Sequence, residues 1–159
     1  MKYKLRQKIF ALGDDFTIQD EMGRDCYFVD GKVFSIGDKL SFQDMNGNEL
    51  ARIEQEVLTI GTKYRILRNG REFAHVRKKM FTLFRDAFDI EDREPGDFDA
   101  EGDFFDHEYR FTRNGRSVAT VSKRFFSLSD TYGVEVAAGE DDVLILACAV
   151  VIDLCSHDD

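Results

Sequence analysis

A chain of 159 residues, 43% hydrophobic and 33% charged, is long enough to bury a sizeable core and does not have the composition of a disordered segment. The formal charge of −9 and a pI near 4.8 argue against non-specific nucleic-acid binding, which needs a basic surface, and weaken any simple attraction to an anionic membrane. Nothing like a signal peptide or lipidation site follows the basic start Met1-Lys-Tyr-Lys4, and Cys26, Cys148 and Cys155 show no C-x-x-C spacing, so a reducing cytoplasm is expected.

In chain order, Gln7–Leu12 reads as a first short strand ending at Gly13-Asp14-Asp15. Phe16–Asp20 alternates apolar and polar residues with the strand period, and Glu21–Arg24 turns the chain into Asp25–Val29. Asp30-Gly31 has the composition of a two-residue type I′ turn and predicts a hairpin with Lys32–Ile36. After Gly37-Asp38, Leu40–Asp44 and Glu49–Glu56 form another hairpin around Asn46-Gly47.

The stretch from Tyr64 to Leu83 returns at Tyr109 to Leu128, eleven of twenty positions being identical at an offset of 45. Both copies centre on Arg-Asn-Gly-Arg. A weaker echo relates Phe16–Asp20 to Leu40–Asp44 at an offset of 24, with Gly23 falling on Gly47. Between the strong copies, Asp86 to Glu108 holds eleven acidic residues against one arginine, Arg93. Within it Ala87–Glu91 and Asp97–Asp103 read as strands around Pro95-Gly96. Ser127–Ser129 and Tyr132–Val136 supply the last strands.

From Val143 to Ile152 there is no polar side chain, so a helix here is buried on every side. The run is about half the ~20 residues of a membrane span, so no transmembrane segment is read. Asp141 or Asp142 is a natural N-cap. Ten to twelve short strands joined by tight turns are antiparallel, and a sheet that long curls and closes. The predicted fold is mainly β: one domain, 1–159, in which a closed antiparallel β-barrel wraps a buried hydrophobic C-terminal helix at about 141–155. Ala74 and Val76, with their counterparts Ala119 and Val121, are the small inward residues expected to make room for it.

The chain resembles the LURP-one-related family, a branch of the tubby C-terminal-like fold that also includes the phospholipid scramblases. The resemblance covers nearly the whole chain. It is carried by Leu5–Phe10, by Phe16–Gly23, by Leu40–Asp44 with Gly47, and by Asp130–Val136 ahead of an apolar helix ending in Ile152-Asp153. It implies a barrel of about 12 strands around the C-terminal helix and says little of activity. Tubby relatives bind phosphoinositides and plant members are linked to defence. This chain has no residues matching the tubby phosphoinositide site, and it lacks the lipidated cysteine cluster and longer apolar end expected of a scramblase.

Two clusters invite a functional reading. The basic residues Arg68, Arg71, Arg77, Lys78 and Lys79, echoed by Arg113, Arg116, Lys123 and Arg124, would form a stripe for phosphate or lipid headgroups, or else are outer-face charges that offset the acidic hairpin. Asp97, Asp99, Glu101 and Asp103, with Gly102 sixth and Glu108 twelfth, have the spacing of a calcium loop. Such a loop needs flanking helices, and both flanks here read as strands, so a solvated acidic hairpin is the plainer reading and no metal is expected. His75, His107 and His157 are scattered and read as structural, while Asp153 sits near the barrel mouth as a candidate for a buried pair. There is no P-loop, dinucleotide fingerprint or G-x-S-x-G, so no cofactor is implied. The expected class is a non-enzymatic binding module with an acidic lipid, another phosphate-bearing ligand or a protein as partner. The alternative is a soluble interaction protein with a defence or stress role, and an enzyme is the weakest reading.

Overall fold

The computed structural model describes residues 1–10, 13–31, 39–57, 61–82, 85–92, 96–126 and 131–157. In these, the alternating segments become twelve strands: β1 (Lys2–Phe10), β2 (Gly13–Asp20), β3 (Asp25–Gly31), β4 (Lys39–Asp44), β5 (Glu49–Glu56), β6 (Lys63–Arg68), β7 (Arg71–Thr82), β8 (Arg85–Asp92), β9 (Phe98–Asp103), β10 (Glu108–Arg113), β11 (Arg116–Ser122) and β12 (Thr131–Val136). A 3-10 turn, Lys123–Phe125, follows β11, and one helix, α1 (Asp142–His157), follows β12. Every strand runs antiparallel to its neighbour in sequence, and β1 pairs with β12 to close the barrel.

The hydrophobic α1 fills the lumen, and no side chain from Leu144 to Ile152 is more than 1% exposed. The wall makes room for it by a regular device. Large inward residues face alanines across the ladder: Phe42 opposite Ala51, Ile66 opposite Ala74, Phe88 opposite Ala100, and Phe111 between Ala100 and Ala119. All of these are buried. Alternating bulk and methyl in one layer leaves grooves that the Leu, Ile and Val side chains of α1 occupy, each adding about 1.5–3 kcal/mol of burial. Ala74, Val76, Ala119 and Val121 lie on this inner face as expected.

The repeats have identifiable causes. In the 45-residue pair, Asn69 and Asn114 both take φ 51°, Gly70 and Gly115 follow at 75° and 76°, and the ladder slips one residue after Ile66 and after Phe111. Positive φ at both central residues is what a type I′ turn requires, and Asn-Gly supplies it. In the 24-residue pair the cause is a carboxylate. Asp20 Oδ1 accepts from the backbone N–H of Met22 and Arg24, and Asp44 Oδ1 accepts from those of Asn46 and Asn48, at 2.9–3.0 Å.

The 45-residue repeat fails at one place. Its second copy does not continue as β7 does, because Glu108 Oε1 accepts from Ser122 Oγ at 3.0 Å and from the Lys123 backbone N–H at 3.1 Å, while Ser122 Oγ accepts from Arg124 N–H. The corresponding residues of the first copy, Lys63 and Arg77, offer no acceptor. The chain therefore leaves the ladder after Ser122.

Two boundaries differ from the sequence reading. The first strand begins at Lys2, not Gln7, because Lys2-Tyr-Lys-Leu-Arg6 is itself an alternating segment that β12 and β2 both pair. Asp30-Gly31 is not a turn: β3 runs through it, Gly31 pairs with Leu40, and the Gly31 N–H donates to Asp15 Oδ1 at 3.1 Å. The expected strands at Lys32–Ile36 and Ser127–Ser129, and Pro95, lie outside the described residues.

Candidate functional site

The nine basic candidates do not form one stripe. The hairpin tips of β6–β7 and β10–β11 lie at the end of the barrel where α1 begins, and Arg68 and Arg113 are committed there. Arg68 pairs with Asp141 at 2.8 Å and lies over the Phe73 ring at 4.1 Å. Arg113 pairs with both oxygens of Glu140 at 2.8–2.9 Å and donates to the Gly96 carbonyl at 3.1 Å. Asp141 in turn caps α1, its Oδ1 accepting from Leu144 N–H at 3.1 Å. Tyr3 donates its hydroxyl to Asp142, and burial, with that carboxylate beside it, pushes the phenol far above its ordinary range. The acids complement the positive helix end, and the two repeat-related arginines hold them in place. Arg71 and Arg116, beside the same tips, are exposed.

At the other end, Arg77 is exposed, whereas Lys78 is half-buried and shares the inward face of β7 with Val76, opposite Phe88. The Lys79 side chain lies outside the described residues. Lys123 and Arg124 are exposed on the 3-10 turn, and Lys123 reaches Asp106 at 3.6 Å.

This end also holds a buried polar group that the sequence only half revealed. Asp153, 2% exposed directly after the apolar run of α1, takes a 2.7 Å contact from Nε2 of His107. His107 sits in the β9–β10 turn at φ 52°, and its ring stacks on Tyr132 at 4.2 Å and 19°. The Tyr109 and Tyr132 hydroxyls beside it are buried, and burial, then the Asp153 charge, pushes both well above the ordinary phenol value. The pair joins the end of α1 to the wall.

The calcium spacing does not become a calcium loop. Asp99, Glu101 and Asp103 alternate outward along β9, Asp103 accepts from Asp106 N–H, and Glu108 is held by Ser122 and Lys123. Gly102 is needed because β10 crosses it closely: a Cβ there would lie 2.6 Å from the Glu108 carbonyl oxygen. Among the described residues no three His, Cys, Asp or Glu side chains gather to hold a metal, and no helix is long and apolar enough to cross a membrane.

One surface was absent from the sequence reading. Lys2, Lys4 and Arg6 face outward along β1. Beside them Phe125 and Phe126 lie over the outer face of β12 and bury Gly133, where a Cβ would lie 2.7–2.8 Å from their side chains. Lys2 Nζ stands 5.2 Å from the Phe125 centroid and Lys4 Nζ 5.5 Å from that of Phe126. Lys2 also approaches Glu135 at 3.7 Å. The period-two pattern of Lys2–Arg6 was the available signal for the strand. Its meeting with the 3-10 turn depends on barrel closure, which no local pattern reports.

Among solved structures, a crystal structure of a protein from Arabidopsis thaliana superposes with a TM-score of 0.72 over 98% of this chain and 92% of that one, at 16% identity, a likeness that shows the fold alone. No match is found among curated proteins. The sequence profile that does match spans residues 1–153, nearly the whole barrel and its helix, and the chain belongs to the LURP-one-related family.

Proposed function

We propose that the chain is a non-catalytic binding module that presents cations on the outside of the barrel to a phosphate-bearing ligand such as an acidic lipid headgroup. The observation that carries this reading is the filled lumen. With the side chains of α1 packed to 0–1% exposure from Leu144 to Ile152, recognition falls to the outer wall and the rims. There Arg71, Arg77, Arg116 and Arg124 are exposed and make no ion pair among the described residues. The buried acid–imidazole pair His107–Asp153 has its carboxylate sealed inside the wall and serves as a structural tie.

The test uses two probes on the intact chain: vesicles with and without phosphatidylserine, and pyrophosphate by calorimetry, each at 20 and 300 mM salt. Binding to at least one anionic probe, weakening as salt rises, is expected. No binding to either at low salt removes the reading.

A further inference from the structure

We infer that the face built by β1 and the 3-10 turn, with the adjoining β9–β10 turn, is a docking surface for an anionic lipid bilayer. The inference rests on the reading above and gives it a place and a kind of partner.

The charge is local. Of the cations here, Lys2 has Glu135 and Lys123 has Asp106, whereas Lys4, Arg6 and Arg124 have no ion pair among the described residues. The chain carries −9 overall, yet the acids beside this face are engaged, Glu135 by Lys2, Asp106 by Lys123, and Glu108 by the Ser122 hydroxyl and the Lys123 N–H, while those of β8 lie four strands from β12. The screening length at physiological salt is about 8 Å, so a surface touching this face meets the nearby cations and is shielded from the distant acids. The composition argument against anionic membranes therefore does not hold at this face.

The shape favours a plane over a single phosphate. Lys2, Lys4 and Arg6 stand at every second position of one strand, so the row extends about 13 Å along the wall. They do not converge on a point, as the ligands of one phosphate would. A laterally extended array of anions matches such a row. The rings of Phe125 and Phe126 are taken by Gly133 beneath and the two lysines beside them, which leaves no open platform for stacking bases. At the edge of the same face the turn tied to Lys123 through Asp106 projects Phe105, 68% exposed. An exposed aromatic beside lysines and arginines suits the headgroup boundary, where the ring enters the acyl region and the cations meet the phosphates.

The experiment measures partitioning onto phosphatidylserine vesicles for the wild type, for Lys4→Gln/Arg6→Gln/Arg124→Gln, and for a control carrying the same charge change at exposed positions elsewhere, Lys39→Gln/Arg52→Gln/Arg110→Gln. Melting temperatures establish that all three fold. At about fivefold per cation, the first triple should lose on the order of 100-fold and the control only a few-fold. The chain has no Trp, so Phe105→Trp adds a single reporter whose emission should shift to the blue on vesicles and not with pyrophosphate. Equal losses in both triples, or a larger loss in the control, overturn this face and leave the binding-module reading standing. Pyrophosphate binding without vesicle binding overturns the bilayer while keeping a phosphate ligand. Retention of RNA or of an acidic protein through Lys4, Arg6 and Arg124, without vesicle binding, overturns the inference in favour of that macromolecule.

Discussion

Asp153 is the residue on which the C-terminal end of the helix turns. A carboxylate inside the apolar core is expensive to bury, and His107 offsets that cost from a turn held at positive φ. Removing one partner should hurt more than removing both. His107→Ala should cost about 3–5 kcal/mol, a fall in Tm on the order of 10 °C, because Asp153 stays buried without its imidazole. His107→Leu/Asp153→Leu should recover most of the loss, since an apolar pair satisfies the same space. Urea unfolding of the three proteins measures this, and a double variant as weak as the single one refutes the account. Sequence could nominate Asp153, because a charge directly after an apolar helix face has to go somewhere. It could not nominate His107, which lies 46 residues earlier in a turn whose position only the closed barrel fixes.

Among the elements, the hairpins were the most legible. A turn is written in consecutive residues, so Asn69-Gly70, Asn114-Gly115 and the Asp-x-x-Gly pair at Asp20 and Asp44 could all be read locally. Asp30-Gly31 failed because the same dipeptide also fits a strand end, and the Asp15 carboxylate that engages Gly31 comes from another strand. The Asp-x-x-Gly turns also make a pH prediction. The hydrogen bonds of the Arg24 backbone N–H and guanidinium at Asp20, and of the Asn48 side chain and backbone at Asp44, hold both carboxyls below the usual carboxylate value. A depressed folded value adds stability that is fully present above about pH 4, where the unfolded carboxyl is ionised, and is lost as pH falls through the folded value. Asp20→Asn/Asp44→Asn keeps the turn geometry and removes the titration. Its stability should lie below the wild type's at pH 6, where the ionised carboxylates contribute, and decline less steeply than the wild type between pH 4 and 2. Parallel thermal melts check this, and identical slopes in acid contradict it.

For the whole molecule, the fold was legible because two independent patterns agreed: many short hairpins, and a helix with no polar face. Function was less so. The basic repeat drew attention to Arg68 and Arg113, and the structure commits both to holding the acids around the start of α1. The more open cationic face joins the two ends of the chain's strand order, β1 and the segment before β12, so no stretch of sequence shows it whole. The helix assignment carries its own test. Ala147→Lys or Val150→Lys would bury an ammonium where both native side chains are 0% exposed, at a cost of several kcal/mol against a typical total stability of 5–15 kcal/mol. Neither variant should give soluble folded protein, and normal yield and melting temperature for either would refute the central helix.

The order of the elements also decides when the protein can come into being. Each hairpin is local, but the ring closes only when β12 reaches β1, with the N-terminal amine donating to the Val136 carbonyl across 135 residues of chain. The helix emerges from the ribosome after every strand. A chain stopped before residue 142 has the whole wall and nothing to put inside it, so its inward rings and alanines enclose a void that costs more than the strands return. The residues of α1 thus complete the core in time as well as in space, and a stable barrel is itself the sign of a chain translated through this helix.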